Sequence, residues 1–280
     1  MKRIPFVKME GAGNDFALVD ARRAHRAVCR PAFARRICDR KFGAGADGLL
    51  VLLASRQADV RMRIFNADGS EAGMCGNGAR CLALYYGRRS GKKTFSVETA
   101  AGVQEARLTG PASVRLRLPD PTDIRLGRTV RLKGRTLEVD YIDTGVPHAV
   151  VEVEDLERVP VLELGRAIRR HELFMPSGTN VDFMRIRDAR RIDIRTYERG
   201  VEDETLACGT GSVAAAVIGA LNHARTGFEG ADGAALRHRI RVHTRGGGIL
   251  TVSFRVSKRA VTDMGLEGAA RIVYEGVYYV

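Results

Sequence analysis

One cysteine setting occurs twice in this chain. The first copy reads Met74-Cys75-Gly76-Asn77-Gly78-Ala79-Arg80 and the second Ala207-Cys208-Gly209-Thr210-Gly211-Ser212-Val213. Both fit x-C-G-[NT]-G, and both run into small and apolar residues, LALYYG (82–87) and AAAVIGAL (214–221). Each reads as a cysteine at the first turn of a buried helix. Backbone N–H groups without intrahelical partners and the positive end of the helix dipole favour an anion there. Two such helices constrain the fold to a duplicated one, with one thiol per copy and a site between the halves that presents a thiol to each face of a substrate.

Length allows two domains, since 280 residues exceed one ordinary core. Hydrophobic content of 45% and charged content of 28% are those of a globular chain, which sets aside disordered and fibrous classes. The start, MKRIPFVKME, lacks the apolar stretch of a signal peptide. Residues 206–224 contain no Asp, Glu, Lys or Arg, yet they are rich in Ala and interrupted by Gly209, Gly211, Gly219, Asn222 and His223. That composition reads as a core helix and not a membrane span.

The net charge is +13, and Arg supplies 39 of the 46 basic residues. They are scattered in short pairs such as Arg22-Arg23, Arg35-Arg36 and Arg190-Arg191. Nucleic-acid binders concentrate charge on one face with aromatics between. The expectation is therefore a solvated surface with no nucleic-acid partner, whose field draws in small acidic substrates. The cysteines are Cys29, Cys38, Cys75, Cys81 and Cys208. An odd count without a secretory signal implies reduced thiols in a cytoplasm. No CxxC or HxxxH spacing supports a zinc site.

Strand candidates are 60–65, 93–99, 113–118, 136–142, 149–154, 193–197, 239–244 and 249–256, several with clean apolar-polar alternation. Helix candidates are 31–40, 76–87, 161–170 and 209–224. Runs of strands around few helices predict an α+β fold. Two further echoes extend the repeat: GAGNDFALVD (11–20) with SGTNVDFMRI (177–186), and RIFNADGSEAGMCGNG (63–78) with RTYERGVEDETLACGTG (195–211). The Pro119-Asp120-Pro121-Thr122 turn marks a boundary, giving domains 1–119 plus 266–280 and 120–265.

A thiol at a helix start is stabilised as thiolate by about 0.3–1 kcal/mol. About 1.4 kcal/mol is one pKa unit, so the dipole lowers the thiol by less than about one unit from about 8.5 when exposed and by about one unit when partly buried. The N–H groups near Gly76-Asn77 and Gly209-Thr210, aimed at one carboxylate, stabilise the charge that builds when its α-carbon loses a proton. One cysteine removes that proton and the other delivers one to the far face. The outcome is inversion of a stereocentre by general acid–base chemistry without a cofactor.

With these motifs the chain resembles the diaminopimelate epimerase family. The matching pieces are KMEGAGNDF, FNADGSEAGMCGNGARC, GTNVDF and YERGVEDETLACGTG, in order over nearly the whole chain. The resemblance implies two similar domains, each a curved, mostly antiparallel, barrel-like sheet around a central helix, with the active site in the cleft between them. It implies epimerisation of LL- to meso-diaminopimelate, a homodimer, and no metal or organic cofactor. It assigns Cys75 and Cys208 as the acid/base pair. Gly76, Asn77, Gly209 and Thr210 match positions that hold the reacting carboxylate, and Asn14, Asn66 and Asn180 those that hold the far end. Arg199 matches the partner of the distal carboxylate, Glu198 a neighbour of the reacting amino group, and His148 a histidine beside the site. Two departures stand out. Val146 replaces an asparagine common in the family, and ERGVEDET is one residue longer than ERGVGET. The longer loop sets Glu202, Asp203 and Glu204 before the second cysteine, to cap the helix or meet a substrate ammonium.

Inert core packing is the ordinary role of a buried cysteine, and Cys29, Cys38 and Cys81 carry that expectation. His25, His171, His223, His238 and His243 read as core or surface polar residues. Rival functions are a related racemase of another amino acid such as histidine or proline, a thiol redox protein, and a basic binding module. Absence of CxxC argues against the second, and scattered charge against the third.

Overall fold

The computed structural model describes residues 2–22, 26–225, 236–257 and 260–280; His25 lies outside them. The chain forms two compact units, Met1–Arg117 with Glu267–Val280, and Leu118–Leu266.

The first unit holds β1 (Arg3–Gly11), β2 (Asn14–Asp20), α1 (Pro31–Cys38), β3 (Gly48–Leu53), β4 (Val60–Asn66), β5 (Glu71–Ala72), α2 (Gly76–Ser90), β6 (Thr94–Thr99), β7 (Gly102–Gly110) and β8 (Ser113–Arg117). The second holds β9 (Thr122–Leu132), β10 (Arg135–Asp143), β11 (Pro147–Glu152), α3 (Val161–Arg169), β12 (Asn180–Asp188), β13 (Arg191–Glu198), β14 (Asp203–Thr205), α4 (Gly209–Arg225), β15 (Leu236–His243) and β16 (Ile249–Ser257). β17 (Ala260–Ala269) begins in the second unit and ends in the first, and β18 (Arg271–Tyr279) completes the first.

Both units share one pairing scheme. In the first, β18–β1 and β1–β2 are antiparallel, β2–β3 parallel, β3–β4 antiparallel, β4–β6 parallel and β6–β7 antiparallel. In the second, β9–β10 and β10–β11 are antiparallel, β11–β12 parallel, β12–β13 antiparallel, β13–β15 parallel and β15–β16 antiparallel. A helix bridges each parallel step, as a parallel connection requires: α1 and α3 the first step, α2 and α4 the second. Topology therefore matches β4-β5-α2 with β13-β14-α4, the equivalence expected from the second sequence echo. It overturns the first echo. Asn14 opens β2, whose counterpart is β11, whereas Asn180 opens β12, the counterpart of β3. The similarity of GAGNDF and GTNVDF joins strands that occupy different places in the repeat.

The sheets curve around α2 and α4. The α2 helix touches β1, β2, β3, β4, β6, β7, β8 and β18, and every residue from Asn77 to Gly87 is buried. The α4 helix touches β10, β11, β12, β13, β15 and β16. A helix enclosed on all sides must be apolar all round, which the weak amphipathicity of both sequences reflects. By contrast α1 and α3 bury one face each: Phe33, Ala34, Ile37 and Cys38, and Val161, Leu164, Gly165 and Ile168. No helix among the described residues is long and apolar enough to cross a membrane.

Continuous burial hid several strands from the alternation test. β3 is GLLVLL with five of six positions buried, and β12 opens with five buried residues. Strands buried on both faces lose the period-two signal.

Candidate active site

Both cysteines cap their helices with sulfur. Cys75 precedes α2 in an extended conformation, its Sγ accepting from Gly78 N–H at 3.5 Å and its carbonyl from Ala79 N–H at 2.8 Å. Cys208 repeats the arrangement before α4: Sγ accepts from Gly211 N–H at 3.4 Å and the carbonyl from Ser212 N–H at 3.0 Å. These are the N-cap bonds that a serine or aspartate oxygen ordinarily makes. The second glycine of each motif has a steric reason. A Cβ at Gly78 would lie 2.8 Å from Leu50 Cδ2, and one at Gly211 would lie 2.3 Å from Asp182 Oδ1.

Around Cys75, a chain of side chains runs across the helix start. Asn77 Nδ2 donates to Asn14 Oδ1 at 2.7 Å, and Asn14 Nδ2 to Asp47 Oδ2 at 3.1 Å. Asn14 is set there by a two-residue turn, Ala12 and Gly13 at φ 53° and 92°, the left-handed pair a tight hairpin needs. Asp47 belongs to an ionic cluster: Arg40 donates to Asp15 and Asp47 at 2.9 and 2.7 Å, and Lys8 to Asp15 at 2.5 Å. Burial pushes the Asp15 carboxyl up, but bonds from Lys8 and Arg40 outweigh it and hold it at about 2. Asn66 joins no part of this chain. Its Nδ2 donates to Ser70 Oγ at 2.9 Å within the turn that follows β4.

Around Cys208, polar groups converge beneath α4. His148 Nδ1 and Asp182 Oδ2 lie 2.6 Å apart with neither side chain exposed, and Thr196 Oγ1 donates to Asp182 Oδ1 at 2.6 Å. Asn180 Oδ1 accepts from the Arg199 backbone N–H at 2.8 Å, and its Nδ2 donates to Pro147 O at 3.2 Å. The Arg199 guanidinium donates to Ser177 O at 3.0 Å. Thr210 Oγ1 lies 3.4 Å from Cys208 Sγ. The Asn180 amide thus meets the Arg199 backbone and lies 3.5 Å from His148 Nε2 through its nitrogen, and Thr210 sits beside the Cys208 sulfur.

Electrostatics corrects one expectation. The Cys208 thiol is pushed up, not down: burial is the largest cause, Glu198 and Asp182 add to it, and the bonds from Thr210 and Gly211 only oppose it. Magnitudes decide this, because a helix start contributes about 1 kcal/mol whereas full burial shifts a group by about 3–5 units. Glu198 is itself raised, first by burial. Cys81 and Cys38 are raised by burial, Cys38 to about 12, as inert core thiols should be. In the longer loop, the capping alternative is overturned. Cys208 is the cap of α4, while Glu202 accepts from Arg169 Nε at 2.9 Å and Glu204 from both arms of Arg195 at 2.7 Å.

Sequence reasoning missed three charged residues. Asp182 is a lone acid among Val181, Phe183 and Met184 of a buried strand. Arg80 is the one charge in α2 between Gly76 and Gly87, and it is fully buried. Asp47 anchors Asn14. A solitary charge in an apolar run was the available signal for the first two.

Comparison with known proteins accords with this geometry. The family model for diaminopimelate epimerase matches residues 6–117 and 141–268. The chain is 40% identical over 276 residues to diaminopimelate epimerase of Chlorobaculum tepidum, covering 96% of this chain and 98% of the relative. It is 39% identical over 282 residues to that of Aquifex aeolicus, covering 97% and 96%. Among solved structures it resembles a phenazine biosynthesis protein of the PhzF family from Bacillus anthracis, with TM-score 0.72, 18% identity and 100% of both chains covered. It also resembles a hydroxyproline epimerase from Agrobacterium vitis, with TM-score 0.67, 15% identity, and 99% of this chain and 91% of that one covered. The structural likenesses show the shared fold; identity at this level across almost the entire length shows descent, and the chain belongs to the diaminopimelate epimerase family.

Proposed function

We propose that this protein interconverts LL- and meso-diaminopimelate, with Cys75 and Cys208 as the acid/base pair at one α-carbon. The observation that carries the reading is the matched pair of sulfur-capped helix starts in a chain of this family. Backbone N–H groups at Gly76-Asn77 and Gly209-Thr210 hold the reacting carboxylate and stabilise the enolate-like charge that follows proton loss. Asn14, Asn66 and Asn180 hold the far end, and Arg199 pairs with the distal carboxylate as a planar two-armed donor. Glu198 meets the amino group at the reacting carbon. His148, tied to Asp182, supports the Cys208 side.

The raised Cys208 thiol supports giving it the resting proton. In either direction one sulfur opens the reaction as the base and the other reprotonates the opposite face as the acid. The reverse direction needs the proton moved to the other sulfur. The protein works as a cytoplasmic homodimer, which sedimentation equilibrium tests. The decisive experiment is incubation with LL-diaminopimelate in deuterated water under reducing conditions. Deuterium should enter one α-carbon as the meso form appears. No label in either isomer would end this reading, and faster exchange of histidine or proline would redirect it to a related racemase.

A further inference from the structure

Arg80 is a lone cation in the buried stretch of α2. It is fully buried, and its Nε and Nη1 have no hydrogen-bond partner among the described residues. It sits in the second turn of α2, five residues after Cys75. A buried, poorly paired charge is costly to a fold. The twin helix shows the cheaper solution: five residues after its cysteine, α4 carries Val213, equally buried.

Its one side-chain hydrogen bond among the described residues gives Arg80 a direction of action. Arg80 Nη2 donates to Asn77 Oδ1 at 2.7 Å. A guanidinium has only donors, so the Asn77 oxygen must face it. The Asn77 nitrogen must then face Asn14, whose oxygen accepts at 2.7 Å, and the Asn14 nitrogen must face Asp47 at 3.1 Å. Asp47, when ionised, has only acceptors. A full cation at one end and a full anion at the other thus leave neither amide a second orientation. Burial lowers the Arg80 pKa, while Cys81 on its own helix, Cys75 at the cap of that helix and Glu10 on β1 raise it.

We infer that Arg80 is a positioning residue for the substrate: through Asn77 it fixes the amide of Asn14, two hydrogen bonds away, in the orientation that receives the far end of diaminopimelate. The inference rests on the assignment of Asn14 to that end in the function proposed above. It deepens that reading by tying distal recognition to the helix that carries Cys75.

The test combines Arg80→Gln, Arg80→Lys, Asn14→Ala and the double variant Arg80→Gln/Asn14→Ala. Loss of a charge-assisted bond corresponds to about a ten- to hundredfold change. Arg80→Gln should raise KM for diaminopimelate by that factor with a smaller effect on kcat, the mark of lost uniform binding. Arg80→Lys, which keeps charge and donor, should recover most of it. The double variant should be no worse than the worse single one. Multiplying effects, or an unchanged KM in Arg80→Gln, would overturn the inference. A second readout needs no turnover: the side-chain amide signal of Asn14 in a nitrogen–proton correlation spectrum should move in Arg80→Gln and stay near its wild-type position in Arg80→Lys. If Arg80→Gln folds and that signal stays in place, or if it moves as far in Arg80→Lys, the relay does not exist. Should Arg80→Gln fail to fold, Arg80→Lys and Asn14→Ala carry the test, the latter by moving the Asn77 signal. A wild-type protein that exchanges no label refutes the proposed function, and the amide spectra still decide the relay.

Discussion

Sulfur at a helix N-cap is a larger and weaker acceptor than the oxygens that usually sit there, and the bonds at Cys75 and Cys208 are correspondingly long, 3.5 and 3.4 Å. Serine is among the preferred caps, worth about 1 kcal/mol over poor ones. Cys75→Ser and Cys208→Ser should therefore keep or raise the melting temperature while deuterium exchange falls by about a thousandfold or more, since a serine hydroxyl is a poor base at neutral pH. Cys75→Ala and Cys208→Ala should each nearly abolish turnover in both directions. A variant that loses either thiol and keeps more than about a tenth of the rate would refute the two-thiol scheme. The raised Cys208 thiol has a direction of its own. A raised pKa keeps the proton on sulfur to higher pH. The alkaline fall in kcat/KM should thus lie above the ordinary thiol value of about 8.5. The profile reports the coupled pair and not either sulfur alone.

At the scale of the element, glycines of α4 differ in what surrounds them. A methyl at Gly211 would meet the Asp182 carboxylate at 2.3 Å, and that carboxylate is held by His148 and Thr196. A methyl at Gly219 would meet Ile192 Cδ1 at 2.7 Å, the movable tip of a side chain. Gly211→Ala should lower stability by about 1–3 kcal/mol through overpacking. Gly219→Ala should be near neutral, because the clash is offset by about 1 kcal/mol of helix propensity. Urea midpoints at constant slope measure both. The other end of α2 closes on Gly91 at φ 75°, its N–H donating to Gly87 O at 3.0 Å. Nothing lies within 4 Å of a Cβ there, so Gly91→Ala isolates the left-handed cost, about 1 kcal/mol.

Across the whole molecule, the pH dependence of stability follows from Asp15. Its folded pKa of about 2 lies below the unfolded value of about 3.9. A depressed carboxylate contributes stability above its unfolded pKa and loses it as pH falls through the folded one. Urea midpoints should therefore drop between about pH 4 and pH 2, and Asp15→Asn should be less stable at neutral pH with a shallower acid limb. The same carboxylate, with Lys8, Arg40 and Asp47, braces the hairpin that presents Asn14. Acid loss of stability and the placement of Asn14 thus depend on one cluster.

Local pattern was enough for the four helices and for a cysteine at the start of two of them. Each helix had its own periodicity or apolar run, and each C-G-x-G carried its turn within five residues. The α+β class, the family and the β4-β5-α2 repeat were legible for the same reason: the signals are short-range. Three things needed the tertiary structure. Which strands correspond is a matter of sheet neighbours, so the resemblance of GAGNDF to GTNVDF misled and the parallel β11–β12 pairing corrected it. Whether the Cys208 thiol is raised or lowered depends on burial and on Glu198 and Asp182, groups 10 and 26 residues away along the chain. The partner of Arg80 is set by side-chain geometry on α2, and its meaning by Asn14 and Asp47 on other segments. Sequence records which charges exist, but their desolvation and pairing are properties of the space the folded chain encloses.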